Sequence, residues 1–194
     1  MTSPPVGRRE RKKAATRQSL ADAALRLFLE RGYDAVSIRD VAEAADVSTT
    51  TLFKHFSGKE ALVFDEDSAR EATLVAVVRD RAPGQSIPAA LRDHFLAVRQ
   101  RFAGEPAFAE FERLIAGTPV LRDYADRMWM RHRVALAAAI AAEVGAPEDD
   151  PACHALAHFA LQALSLTRDV DDPARALREA FALLENGWGA LRGR

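Results

Sequence analysis

Apolar positions recur at helical spacing along almost the whole chain. Between Thr16 and Glu30, Leu20, Ala24, Leu27 and Phe28 fall at i, i+4, i+7 and i+8, and Gly32 follows as a closing residue. Ile38, Val41, Ala42 and Ala45 repeat the spacing in a second, short helix. A third is expected over about Thr49–Phe56, with Leu52 and Phe56 turned inward, and a fourth from Ser57 as far as Arg81. Beyond the Pro83-Gly84 break, Pro88, Pro106, Pro119, Pro151 and Pro173 each precede a helical pattern, where the missing N–H costs nothing. Thr118, Asp150 and Asp172 stand before three of these prolines as N-caps, and Gly145 and Gly187 read as closing glycines. Alternating β-branched runs and Asn-Gly or Asp-Gly hairpin turns are absent from the sequence. The pattern predicts an all-α chain of about nine helices.

Within it, the stretch VSIRDVAEAADVSTTTLFKHFSGKE places Ser37, Ser48 and Ser57 ahead of helix-like runs, eleven and nine residues apart. Ser37 with Asp40, and Ser57 with Glu60, match a capping box, in which a hydroxyl and an acidic side chain satisfy orphan N–H groups reciprocally. Val47 and Leu52 around Ser48, like Val36 and Val41 around Ser37, are spaced as hydrophobic staples. Two short helices joined by the tight turn Ala45-Asp46-Val47, after a longer one, describe a helix-turn-helix. Asp46 falls where a left-handed residue is needed, a conformation aspartate tolerates better than most side chains. Ile38, Val41 and Ala45 are expected to pack against Leu27 and Phe28.

Charge sharpens this picture. The net charge is −1, but residues 1–60 carry 11 Lys/Arg against 8 Asp/Glu, while the remainder carries 16 against 20. The first 17 residues hold Arg8, Arg9, Arg11, Lys12, Lys13 and Arg17 against Glu10 alone. A basic end suits a polyanionic partner. A hydrophobic content of 48% supplies a core, no apolar run reaches a membrane span, and the basic N-terminus lacks the apolar segment of a secretory signal. One cysteine, Cys153, excludes an internal disulfide and fits a cytoplasmic protein.

Residues 12–62 resemble the DNA-binding head of the TetR family of transcriptional regulators, through the run SIRDVAEAADVSTTTLFKHFSGKEAL. The resemblance implies a helix-turn-helix head over residues 16–62 behind a basic, disordered arm (1–15), and a helical-bundle body (63–194) that dimerises and holds a small molecule. It departs from the family pattern at three places: Asp46 replaces the usual turn glycine, Thr50 a frequent glycine, and Phe53 a frequent tyrosine. The DNA-contacting set is Ser37, Arg39, Ser48, Thr49, Thr50, Thr51, Phe53, Lys54, His55 and Lys59. Among these, Lys59 is read as a phosphate contact and the three threonines as soft base contacts. The recognition helix has no Arg, Asn or Gln for bidentate base recognition.

In the body, the stripe Leu121, Ala125, Met128, Trp129, His132, Leu136, Ala139 and Ile140 is the longest. Ala125, Met128, Trp129 and His132, with Phe95, Phe102 and Phe111, are the candidate ligand pocket. Residues 151–168 are apolar on nearly every face, and Leu177, Phe181, Leu184 and Trp188 make a second apolar helix. Together they suggest a four-helix interface with a second copy, carried by Leu156, Phe159, Ala160, Leu164, Leu177, Phe181, Leu184 and Trp188. His154 and His158, with Cys153, have the spacing of half a metal site, but Cys153 points about 100° away from His154, so no metal or cofactor is expected. HExxH, GxSxG and glycine-rich phosphate loops are missing, which argues against an enzyme. The sequence therefore predicts a homodimeric repressor that binds a palindromic double-stranded operator and is released by an apolar or amphipathic effector. A ligand-independent architectural DNA binder is the alternative.

Overall fold

A computed structural model describes residues 7–102, 104–165 and 170–192. Ten helices are found among them: α1 (Arg8–Arg31), α2 (Ile38–Ala44), α3 (Thr49–His55), α4 (Lys59–Val63), α5 (Asp67–Arg79), α6 (Ile87–Phe102), α7 (Pro106–Gly117), α8 (Pro119–Val144), α9 (Pro151–Ser165) and α10 (Pro173–Arg192). No strand occurs among the described residues. The fold is all-α.

The chain divides into two compact units, the first reaching Glu66 and including Pro106–Ala125, the second comprising Asp67–Glu105 and the chain from Asp126 onward. α7 returns to the first unit, where it packs against α1. The core of this unit gathers Leu20, Ala24, Leu27, Phe28, Val41, Leu52 and Phe56, the residues that the helical spacing selects. Tyr33 joins them, with its ring 5.1 Å from that of Phe28. Ile38 and Ala45 are only half-buried, and Ala42 takes more of the contact.

Local signals fix most helix ends. Gly32 (φ 83°) and Gly145 (φ 65°) adopt the positive φ that ends α1 and follows α8. Asp150 Oδ1 accepts from Cys153 N at 2.9 Å, and Asp172 Oδ1 from Arg175 N at 2.9 Å, so both aspartates cap as expected. Gly187, expected to close a helix, lies inside α10 instead. Ser57 does not cap α4: the cap position is Gly58 in extended conformation, and no side chain bonds there. The single helix expected over 57–81 is two, because Phe64 leaves helical geometry at the end of α4. There its ring is buried and stacks 5.2 Å from Tyr124, within the first unit.

Of the arm expected over residues 1–15, residues 1–6 lie outside the described residues. Residues 8–15 are helical and continue α1 rather than forming a disordered tail. Arg, Lys and Ala are strong helix formers, and the segment has neither Gly nor Pro to stop the helix.

In the second unit, α5, α6, α9 and α10 pack together with the C-terminal part of α8. Leu91, Leu136, Ile140, Ala157, Leu177 and Phe181 lie at its centre. Arg81 Nη1 pairs with Glu143 at 2.6 Å and also donates to Val78 O, joining the end of α5 to α8. No described helix is long and apolar enough to cross a membrane.

Candidate nucleic-acid interface

The turn between α2 and α3 is built locally. Ser37 Oγ accepts from Asp40 N at 3.1 Å while the Asp40 carboxylate accepts from Ser37 N at 2.7 Å, a complete capping box. These bonds from Ser37 hold the Asp40 carboxyl below the usual carboxylate range. Asp46 is the one described non-glycine residue with positive φ, at 53°, the left-handed position that the turn requires. Ser48 Oγ accepts from Thr51 N at 3.1 Å and lies 2.9 Å from Thr51 Oγ1. The Thr51 hydroxyl is thus engaged in starting the helix, and of the three threonines only Thr49 and Thr50 are exposed.

On α3, Leu52 is fully buried, while Thr49, Thr50, Phe53 and Lys54 face solvent. Phe53 is 57% exposed, an unusual setting for a phenyl ring. No acidic residue lies in the first turn of α3, and Lys54 and His55 end it. Arg39 on α2 is also exposed. The surface formed by α3 is therefore polar-to-apolar in chemistry and cationic at one end.

Two cations act inside the head. Lys59, expected at a phosphate, donates its ammonium to Tyr33 O and sits 3.9 Å from the Tyr33 ring centroid. Partial burial lowers its pKa against the pull of Asp34, Glu60 and Asp40. It fastens α4 to the loop after α1, a structural role that the motif does not reveal. Arg17, visible in the sequence only as arm charge, donates to His55 O at 2.6 Å and to Asp65 O at 3.1 Å. Its Nε also pairs with Asp65 Oδ1 at 2.5 Å, and the guanidinium lies 4.3 Å from the Phe56 ring centroid. Arg17 thereby caps the C-terminus of the recognition helix, where the last carbonyls lack intrahelical donors. Neither partner is near it in sequence, so residue spacing carries no sign of this role.

His55 is half-buried at this end, its Nδ1 buried without a hydrogen-bond partner. Burial, then the positive charges of Lys13 and Arg17, lower its pKa, so the imidazole is neutral near pH 7. α1 packs against α3, and Lys13 lies one turn before Arg17, toward the basic start of α1. Arg8, Arg9, Lys12 and Lys13 are all exposed there.

The body residues expected to line a pocket divide between the two units. Phe95, Met128 and His132 are buried in the second unit and Ala125 in the first. Phe95 packs on Phe181 with centroids 5.9 Å apart. His132 Nε2 lies 2.6 Å from Asp67 Oδ1, Asp67 Oδ2 accepts from Arg131 at 2.6 Å, and the Trp129 ring meets His132 edge-on. Trp129, Phe102 and Phe111 are half-buried. A surface depression of about 390 Å³ lined by Val134, Ala138, Glu148, Asp149 and His154 includes none of the seven.

The residues expected at a dimer interface differ in exposure. Leu156, Ala160, Leu177 and Phe181 are already buried within their own chain, because both helices turn their apolar stripes onto α6 and each other. Leu164 and Leu184 are half-buried against that core. Phe159 remains 55% exposed, and Leu183, which sequence reasoning missed, is 77% exposed. The side chain of Trp188 lies outside the described residues.

Residues 20–65 match the family model described as bacterial regulatory proteins, tetR family. TcmR of Streptomyces glaucescens, an HTH-type transcriptional regulator, is 36% identical over 95 residues, 49% of this chain but only 42% of its own length. MftR of Mycobacterium tuberculosis is 28% identical over 148 residues, covering 76% of this chain and 75% of its own. Among solved structures, GusR of Salmonella enterica superposes with a TM-score of 0.59 over 93% of this chain and 96% of that one, at 20% identity, which speaks for the fold. The helix-turn-helix held by the capping box, the left-handed Asp46 and the Arg17 cap thus lies within the segment, residues 20–65, that is similar to the tetR family of bacterial regulatory proteins.

Proposed function

We propose that the protein is a cytoplasmic transcriptional regulator, a repressor rather than an enzyme, that binds a palindromic operator as a homodimer and is released by a small effector. The observation that carries the reading is α3 itself. Its outer face is free of acidic side chains, its start is fixed by Ser48, and its end is clamped by Arg17. A helix held this rigidly and carrying Lys54, beside exposed Arg39 and the basic start of α1, suits the major groove of DNA. Arg39, Lys54 and the α1 cations would contact phosphates, and Thr49, Thr50 and Phe53 the base edges. Ser37, Ser48 and Thr51 would act through their caps, and Lys59 through the packing of the head.

An apolar or amphipathic effector is supported by the half-buried aromatic residues Trp129 and Phe102. With Met128 and His132 packed as they are, binding would require these side chains to move apart. A ligand that binds a state unable to engage DNA must weaken operator affinity by the ratio of its affinities for the two states. The test is footprinting of the purified protein on DNA flanking its own gene. Protection of a near-palindrome whose half-sites repeat at about one helical turn, ~34–36 Å, is expected. Uniform coating of all DNA would favour the architectural alternative.

A further inference from the structure

We propose that α3 reads its operator chiefly through thymine 5-methyl groups, with Phe53 and Thr50 as the specificity-determining side chains. The inference rests on the DNA-binding reading above and deepens it. Three observations converge on the same face of α3. Thr49, Thr50, Phe53 and Lys54 are its exposed residues, and at roughly 100° per residue they span a sector of about 140° with Phe53 and Thr50 inside it. Phe53, 57% exposed, offers a bare ring with no hydroxyl for a phosphate. Thr51, the one threonine that could add a third hydroxyl, has it committed to Ser48 Oγ at 2.9 Å.

What remains on this face for base recognition is a phenyl ring, the methyl groups of two threonines and their hydroxyls, which can donate to or accept from any base pair and so discriminate little. Base pairs in the major groove differ by donors, acceptors and the thymine methyl, and only the last can be recognised by apolar contact. An exposed phenyl ring gains by leaving water against a methyl and loses by covering an unpaired amino group or carbonyl oxygen. Phe53 should therefore both select A·T pairs with the methyl beneath it and reject pairs presenting a polar edge there. Lys54, at the margin of the sector, supplies charge that does not distinguish sequences.

The experiment uses the full chain and a duplex selected by it from a random library, resynthesised with deoxyuridine in place of each thymine in turn. Removing one methyl at a contacted thymine should weaken binding about fourfold per half-site, the effect of one buried carbon. Phe53→Ala and Thr50→Ser should weaken binding to the thymine duplex by a comparable factor and abolish the deoxyuridine effect at their own positions, with thermal melts showing both variants folded. A selected duplex bound equally well with deoxyuridine at every position would overturn the inference while leaving the DNA-binding reading intact. Retention of the full deoxyuridine effect in both variants would overturn the assignment to Phe53 and Thr50. Failure of the library to yield any preferred duplex would instead sink the regulator reading beneath it.

Discussion

Arg17 shows how much one side chain can settle. Its planar fork reaches the carbonyls of His55 and Asp65 and the Asp65 carboxylate, while its face covers Phe56. A lysine ammonium could not reproduce that set, since it is a point charge without a fork. Loss of a hydrogen bond to a charged donor is worth about 1.5–3 kcal/mol. Arg17→Ala should destabilise the head by that amount in urea denaturation and weaken operator binding, and Arg17→Lys should recover little of either. Denaturation followed by circular dichroism, beside a binding titration, checks both. Roles of this kind are where reading the sequence falls short. The Ser37–Asp40 box spans three residues and is legible. Arg17 and Lys59 act on partners far along the chain, so their charge is visible and their targets are not.

At the level of elements, periodicity locates the helices well, because spacing reports which side chains share a face. It cannot say what that face meets. The stripes of α9 and α10 read as a surface for a partner chain, whereas Leu177 and Phe181 fill their own protomer's core. The break between α4 and α5 is equally hidden, since it depends on Phe64 finding Tyr124 across a long stretch of chain. The start of α1 raises a separate expectation. Cations on a helical extension are held in fixed register, so each phosphate they neutralise should release counterions. Replacing Arg8, Arg9, Lys12 and Lys13 by Gln should make the slope of log K against log salt shallower by roughly 0.9 for every phosphate no longer neutralised. Binding measured across several salt concentrations tests this, and an unaltered slope would show the extension to be inert toward DNA.

For the molecule as a whole, the proposed homodimer needs a surface that joins two copies. Among the described residues, Phe159 and Leu183 are the large apolar side chains that α9 and α10 leave exposed. Changing both to Glu should leave the fold intact, yield monomers in analytical ultracentrifugation, and reduce operator affinity by removing the second head. Phe181→Arg should behave differently, because a charge placed at a 1% exposed core position cannot be solvated there. It should unfold the chain rather than split a dimer. A fully folded Phe159/Leu183 variant that stays dimeric would move the interface elsewhere.

The brevity of α2 and α3 has a consequence for how the head comes to exist. Each is seven residues long, about half the length at which an isolated helix persists in water. Neither can form ahead of its packing, so the DNA-reading surface is absent from the unfolded chain and arises only in the same cooperative step that buries Leu20 and Leu52. Mutations at those two core positions, remote from any base, would then register in the cell as regulatory defects: fewer chains would carry a reading surface at any moment, while each folded chain would read as before.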